Sequence, residues 1–315
     1  MILRSKDVLG LEDMTAEEIL GVIDIASRFR AVFDRPVRSV PIMRGRTVVN
    51  FFHEPSTRTR ISFELAEKRL SADIVNFSTA TSSLSKGETL RDTAENLAAM
   101  KIDMLVIRHG SSGAARYLAK VLACSVINAG DGAHEHPTQG LLDIMTMRQR
   151  LGDLRGRKVT IIGDITHSRV ARSNIWGLTK LGAEVTVCGP PTMVPSGLDR
   201  MGVRVEYDLM RAVRDADVLN VLRIQLERHS SRSFPSNREY HRMYGISAEV
   251  VQKLKPETFV MHPGPMNRDV EIASAVADGP RQVILDQVAN GVAVRMALIY
   301  LLSGGDPGAL APAAA

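Results

Sequence analysis

Short apolar runs rich in β-branched residues alternate along this chain with segments whose apolar positions recur every three or four residues. The first such run, Thr47-Val48-Val49-Asn50-Phe51-Phe52, reads as a buried parallel strand. In the segment after it, Ile61, Leu65 and Phe63, Ala66, Leu70 fall at helical spacing, with Glu64, Glu67 and Lys68 between them. Upstream, Thr15-Ala16-Glu17-Glu18 is a capping box that opens a helix reaching to about Phe29. The pattern predicts further strands at 73–77, 104–107 and 125–128, and helices at 88–100, 113–122 and 137–150. Segments 78–87 and 130–135 are loops. This alternation predicts a parallel α/β domain over 1–150.

A seam follows at Leu151-Gly152-Asp153-Leu154-Arg155-Gly156, and the alternation then restarts. Strands are expected at 158–162, 184–188, 204–207, 218–222 and 259–261, with helices at 168–181, 212–215 and 247–254. Between them, 225–244 is long, polar and poor in apolar residues, and reads as an active-site loop. An apolar periodic helix at 283–302 closes the chain, and 309–315 reads as a frayed tail. The expected fold class is therefore α/β, with two domains at 1–150 and 151–286. Each is a parallel sheet flanked by helices, and 287–315 packs back on the first.

Composition narrows the function classes. At 315 residues, 44% hydrophobic and 24% charged, the chain suits a soluble globular protein with room for two domains. A net charge of +5 could suit nucleic acid. The basic residues are interleaved with acids, however, and only 4% of residues are aromatic, so no basic run with stacking residues forms. The excess charge suits small anionic substrates instead. Cys124 and Cys188 end apolar runs and read as buried thiols of a reducing compartment, and no Cys/His spacing fits zinc. With no N-terminal stretch of signal-peptide type and no segment read as a membrane span, the expected location is the cytoplasm.

The candidate chemistry gathers just after strands, where an open α/β sheet places its ligands. Pro55 separates the first strand from Ser56-Thr57-Arg58-Thr59-Arg60, where Ser56 and Thr57 are good N-cap residues. Free amides of a first helical turn, two hydroxyls and two guanidiniums make an anion site suited to phosphate. Taken alone, the pentapeptide is equally a capped helix with two surface arginines. Arg108 leaves a buried strand and needs an anionic partner or water. In Gly132-Ala133-His134-Glu135-His136-Pro137-Thr138-Gln139, Pro137 suits a first helical position. His136 then sits at the positive helix end, which favours the neutral imidazole, with Gln139 on the same face. Two histidines and a glutamate also invite a metal reading, which His-x-His on a loop supports only weakly. Gly163-Asp164-Ile165-Thr166-His167-Ser168-Arg169 resembles a dinucleotide turn but lacks the Gly-x-Gly-x-x-Gly spacing. Arg223 and Gln225 leave another strand, and His262-Pro263-Gly264-Pro265 is a rigid turn able to present backbone groups.

In this order the motifs resemble the carbamoyltransferase family, over nearly the whole chain. They are Ser-Thr-Arg-Thr-Arg at 56–60, Ser-Leu-Ser-Lys-Gly-Glu-Thr at 83–89, Val-Ile-Arg-His at 106–109, His-Pro-Thr-Gln at 136–139, Gly-Asp-x-x-x-Ser-Arg at 163–169, Leu-Arg-x-Gln at 222–225 and His-Pro-Gly-Pro at 262–265. The aspartate branch fits better than the ornithine branch. The latter's His-Cys-Leu-Pro and Ser-Met-Gly motifs are absent, and two arginines suit a dicarboxylate and would repel an ornithine ammonium group.

The resemblance implies domains linked by the His136-Pro137 helix and the C-terminal helix, with the site in the cleft. It implies transfer of the carbamoyl group of carbamoyl phosphate to the α-amine of L-aspartate, in pyrimidine synthesis, without metal or cofactor. Ser56, Thr57, Arg58, Thr59, Arg108, His136, Gln139, Gly264 and Pro265 would bind carbamoyl phosphate, with Arg58, Thr59, Arg108 and His136 catalytic. Lys86, Arg169, Arg223 and Gln225 would bind aspartate. Ser83 and Lys86 would enter the neighbouring subunit's site in a homotrimer, which could carry regulatory or dihydroorotase-like chains, with no nucleic-acid or membrane partner. Two positions depart from some relatives: Gly264 replaces Leu, leaving only backbone to serve there, and the Ser-Lys loop is one residue shorter. Two rivals stand beside this reading: a nucleotide-dependent dehydrogenase, from the Gly163 turn, and a non-catalytic member of the same family.

Overall fold

The computed structural model describes residues 3–78, 87–225 and 234–309. The chain divides into two compact units, Met1–Leu142 with Ala289–Ala315, and Asp143–Val288. Each holds a parallel sheet flanked by helices.

In the first unit, helix α1 (Ala16–Ala31) is followed by β1 (Thr47–Phe52), α2 (Thr57–Leu70), β2 (Asp73–Ser78), α3 (Leu90–Ala99), β3 (Met104–His109), α4 (Ala114–Val121) and β4 (Ser125–Asp131). The predicted capping box is present: Thr15 Oγ1 accepts from Glu18 N–H at 3.2 Å, and Glu18 accepts from Thr15 N–H at 2.8 Å. The sheet order is β2-β1-β3-β4, all parallel. Val49, Phe51, Leu105, Ile107 and Val126 pack against Ala94, Leu97, Ala115 and Leu118 of α3 and α4. A parallel strand covered on both faces needs apolar residues at consecutive positions, which is why these runs are continuous. On α2 only Phe63, Ala66 and Leu70 of the apolar positions are buried, while Ile61 and Leu65 stay exposed. Strand β4 runs three residues beyond its expected end, through a register irregularity opposite 107–109 of β3.

Helix α5 (Pro137–Leu151) carries the chain across the boundary between the units. The second unit continues with β5 (Lys158–Ile162), α6 (Arg169–Lys180), β6 (Glu184–Cys188), β7 (Arg204–Glu206), α7 (Leu209–Val213), β8 (Val218–Val221), α8 (Asn237–Tyr244), α9 (Ala248–Gln252), β9 (Phe259–Met261) and α10 (Ser274–Ala277). Its sheet order is β7-β6-β5-β8-β9, again all parallel. The expected loop at 225–244 is corrected in part: α8 occupies its last eight residues. Ser236 Oγ caps that helix by accepting from Glu239 N–H at 3.2 Å, and Tyr240 and Tyr244, one turn apart, are its buried positions. Low overall hydrophobicity hid a helix held by two aromatic residues.

Helix α11 (Ile284–Leu302) closes the fold and again crosses the boundary. By length and composition it could cross a membrane, contrary to the expectation that no segment would. Most of its apolar surface is buried within the protein, as in a core helix.

Beneath β1, Glu67 of α2 is fully buried and accepts from Asn50 Nδ2 at 2.8 Å. Burial pushes its carboxyl up to about 8, against the opposing effect of the Asn50 hydrogen bond. Among the described residues, its other oxygen and Asn50 Oδ1 are both buried without a hydrogen-bond partner, an environment that favours the neutral acid over a buried carboxylate. The native protein thus retains a proton that the unfolded chain loses above about 4.5. Stability should fall by about 1.4 kcal/mol per pH unit as pH rises through that window, and level off above about 8. Glu67→Gln, isosteric with the neutral acid, should remove this component of the slope in urea-unfolding measurements. A slope unchanged in the variant would mean that Glu67 is ionised in the native protein.

Candidate active site

In an open parallel sheet, ligands settle outside the carboxyl ends of the strands, at the point where strand order reverses. In the first unit the chain steps from β1 outward to β2, then returns to place β3 on the other side of β1. The reversal therefore lies between β1 and β3; the segment leaving β1 holds Ser56-Thr57-Arg58-Thr59, and Arg108-His109 end β3. In the second unit the reversal lies between β5 and β8, whose exits hold Gly163 to Arg169 and Leu222 to Gln225. The sequence-predicted arginines thus fall at both reversal points.

At the first, Ser56 is the N-cap of α2, but its side chain makes no capping bond to the helix backbone. Its hydroxyl donates instead to Thr59 Oγ1 at 2.9 Å. Thr59 is buried, whereas Thr57 and Arg58 are exposed. Arg108 ion-pairs with Glu54 at 2.8 Å and donates to the Ala129 carbonyl at 3.2 Å. His53 N–H donates to the Arg108 carbonyl at 2.9 Å, so the two strand exits are stitched together. The anionic partner that Arg108 requires is therefore Glu54, which sequence reasoning passed over. The His53 and His109 rings lie 4.4 Å apart. Burial and then the neighbouring His53 push His109 below the ordinary imidazole value, and its Nδ1 accepts from Ser111 N–H at 2.9 Å.

The loop after β4 is held by buried polar groups. Asn128 Nδ2 donates to Asp131 at 2.8 Å, and Gly113 N–H donates to the same carboxylate at 2.6 Å. Burial opposes ionisation of Asp131, but hydrogen bonds from His134, Asn128 and Gly113 outweigh it and hold the carboxyl below its ordinary value. The Asp131 hydrogen bond in turn raises His134. This frame ends at His136, which is buried just before Pro137 opens α5. Gln139, also buried, follows in the first turn, its N–H donating to the His136 carbonyl at 2.9 Å.

Among the described residues, Glu12, His134 and Glu135 bring possible metal-binding atoms within 4.8 Å of one another. Glu135 spends both oxygens on the Leu11 and Glu12 amides, at 2.8 and 3.0 Å, and His134 is engaged with Asp131. These bonds give the cluster a structural task in closing the loop on the N-terminal segment.

At the second reversal, Gly163 takes φ +128°, and a Cβ there would press on Leu222 at 3.2 Å. Asp164, fully buried, accepts from His167 N–H and Nδ1, at 3.1 and 3.0 Å. Ser168 caps α6, so Arg169 is its first residue, and Arg169 is buried. Gln225 Nε2 donates to the His167 carbonyl at 3.3 Å, which brings the two loops together. Asn267 Nδ2 donates to the Ile224 carbonyl at 3.0 Å.

One carboxylate organises this end of the sheet. Asp143 accepts from Asn174 of α6 at 2.8 Å and from Gln287 at 2.7 Å, with Asn220 of β8 at 3.5 Å. Gln287 Oε1 then accepts from His262 N–H at 2.9 Å. The His262 ring accepts at Nδ1 from Gly264 N–H at 2.8 Å, so its proton lies on Nε2 and is donated to the buried Glu271 at 3.1 Å. Gly264 has φ +58°, and the Gly264–Pro265 peptide is cis. The elements bearing Arg169, Arg223 and Gly264 therefore share one buried network. Asp143 and Glu271 escaped sequence reasoning because a lone acid in a helix or loop looks like a solvated one. Ser83 and Lys86 lie outside the described residues.

Two family descriptions match the chain: "Aspartate/ornithine carbamoyltransferase, carbamoyl-P binding domain" over residues 6–149, and "Aspartate/ornithine carbamoyltransferase, Asp/Orn binding domain" over 155–302. A protein of Gemmatimonas aurantiaca named aspartate carbamoyltransferase catalytic subunit is 60% identical over 302 residues, 96% of this chain and 95% of the relative. Its namesake in Syntrophotalea carbinolica is 58% identical, over 97% and 98%. Among solved structures, aspartate transcarbamoylase of Trypanosoma cruzi in complex with N-(phosphonacetyl)-L-aspartic acid superposes with a TM-score of 0.85 at 30% identity, over 95% and 96% of the two chains. Ornithine carbamoyltransferase of Pyrococcus furiosus superposes with a TM-score of 0.84, also at 30% identity, over 95% and 97%.

Proposed function

Because the chain belongs to the aspartate/ornithine carbamoyltransferase family, we propose that it transfers the carbamoyl group of carbamoyl phosphate to the α-amine of L-aspartate. The products are N-carbamoyl-L-aspartate and phosphate, in cytoplasmic pyrimidine synthesis. The observation that carries the choice of aspartate is the placement of Arg169 and Arg223 on the two loops flanking the second sheet's reversal point. Two guanidiniums match two carboxylates and oppose an ammonium side chain. The relatives at 58–60% identity carry the aspartate name, whereas the fold is common to both branches.

Arg58, Thr59 and the α2 N-terminus, with Ser56 and Thr57, hold the phosphate. Thr59, Arg108 and His136 surround the carbonyl oxygen and stabilise the negative charge that grows there. Glu54 keeps the Arg108 guanidinium in place. Gln139 and the backbone of Gly264 and Pro265 orient the carbamoyl NH2. Arg169 and Arg223 grip the carboxylates of aspartate, with Gln225 and Lys86 contributing. The neutral amine attacks, and the departing phosphate takes the proton, so the reaction requires no protein base. Fixing the positions of two anions that repel in water supplies much of the rate.

A colorimetric assay for carbamoyl-aspartate, with ornithine as control acceptor, tests the reading directly. Product with aspartate alone is expected, and turnover of ornithine alone would move the chain to the other branch. Arg223→Ala should raise the aspartate KM and lower kcat, costing about 2–4 kcal/mol in kcat/KM, while phosphate-analogue affinity holds. Collapse of carbamoyl-phosphate binding in that variant would place Arg223 on the wrong ligand.

The assembly belongs to the same proposal: a cyclic homotrimer in which Ser83 and Lys86 of each chain serve the neighbouring subunit's site. Lys86→Ala and Arg58→Ala trimers should each be nearly inactive. Reassembled mixed rings should regain activity, because some interfaces then join an intact Arg58 to an intact Lys86. Mixed rings verified by native mass spectrometry that stay inactive would refute the shared site.

A further inference from the structure

The roles assigned above leave Arg295 unused. It lies within the apolar run Val292-Ala293-Val294-Arg295-Met296-Ala297-Leu298 of α11 and is only 4% exposed. Nη1 donates to Ser62 Oγ at 2.8 Å and Nη2 to Thr138 Oγ1 at 3.2 Å, and the guanidinium lies 5.0 Å from the centre of the Phe63 ring. Nε is buried without a hydrogen-bond partner, and among the described residues no carboxylate lies within ion-pair distance of the group. Burial, and then the charge of Arg108, push its pKa down to about 9, which leaves it a cation at neutral pH. A buried cation neutralised only by hydroxyls is costly, and an apolar side chain of similar length would fill the space more cheaply.

Thr138 shows what the cation does. It is fully buried, and its hydroxyl has two neighbours among the described residues: Arg295 Nη2, and His136 Nδ1 at 3.5 Å. A guanidinium only donates, so the hydroxyl must accept from Arg295. Turning its single hydrogen to His136 Nδ1 is the arrangement that gives that buried hydrogen an acceptor, since Nδ1–H would leave it with none among the described residues. A neutral imidazole that accepts at Nδ1 carries its proton on Nε2. A Thr138 hydroxyl free of Arg295 could instead accept from Nδ1–H and hold the opposite tautomer.

We propose that Arg295 is a positioning residue that, through the Thr138 hydroxyl, fixes His136 as the neutral Nε2–H tautomer, while its bond to Ser62 anchors the helix that carries Thr57, Arg58 and Thr59. The tautomer is inferred from the two contacts of the Thr138 hydroxyl. Its catalytic meaning rests on the proposed function, in which that Nε2–H faces the carbonyl oxygen.

Histidine-selective nitrogen NMR of the full chain, with the His136 signal identified by its loss in His136→Gln, reads the tautomer without any assay. The expected wild-type signal has Nδ1 bare and Nε2 protonated. Thr138→Val and Arg295→Met should shift population to Nδ1–H, and Thr138→Ser should keep the wild-type form. In parallel, Arg295→Met should lower kcat by about ten- to a hundredfold with little change in aspartate KM, the range for a partner that orients a ring through its other nitrogen. If Arg295→Met fails to fold, the near-isosteric Thr138→Val carries the test. An unchanged His136 tautomer in Thr138→Val overturns the proposal. A tautomer that depends on Thr138 in a protein without carbamoyltransferase activity would sustain this inference and remove the functional reading. An active enzyme with an indifferent tautomer would do the reverse.

Discussion

A strand buried on both faces of a parallel sheet can carry a charge only toward its end, and the rest of this molecule follows from that constraint. The continuous apolar runs of β1, β3, β5 and β8 push every arginine, histidine and hydroxyl of interest to the strand exits. Strand order then selects which exits matter. In each sheet the order reverses once, and the opening at the reversal is where amides and charged side chains can converge on a ligand. The arginines assigned to phosphate and those assigned to aspartate lie at these two places.

Gathering charges at buried strand ends creates a second problem, because each must be satisfied where it sits. The solutions differ. Arg108 has a carboxylate, Glu54. Asp143 collects side-chain amides from α6, β8 and α11, and through Gln287 is coupled to the His262–Glu271 pair. Glu67 keeps a proton against Asn50. Among the described residues, Arg295 has only two hydroxyls and an aromatic face. Such networks hold a geometry firmly because breaking any bond strands a polar group in a dry interior.

Much of this was legible in the residues. Continuous apolar strands, the Thr15 capping box and Pro137 at a helix start each carry a local physical signal, and each appears where expected. The misreadings have local causes too. Helix α8 was hidden in 225–244 because two tyrosines one turn apart carry its buried face, while the Ser236 cap was the sign that could have found it. Helix α11 was not read as long and apolar enough to cross a membrane. It is both, and its burial within the fold marks it as a core helix.

The sequence by itself determined the alternation of strand and helix, the family resemblance and the position of each candidate side chain at a strand exit, because these depend on periodicity and order along the chain. Tertiary structure alone decided which acid partners which base. Glu54 meets Arg108 across two strand exits, Glu271 meets His262 across a turn, and Arg295 reaches Thr138 from a helix more than a hundred residues away. No periodicity encodes such pairings. They arise because burial removes water as a competitor and leaves each polar group only the partners that the fold brings within reach.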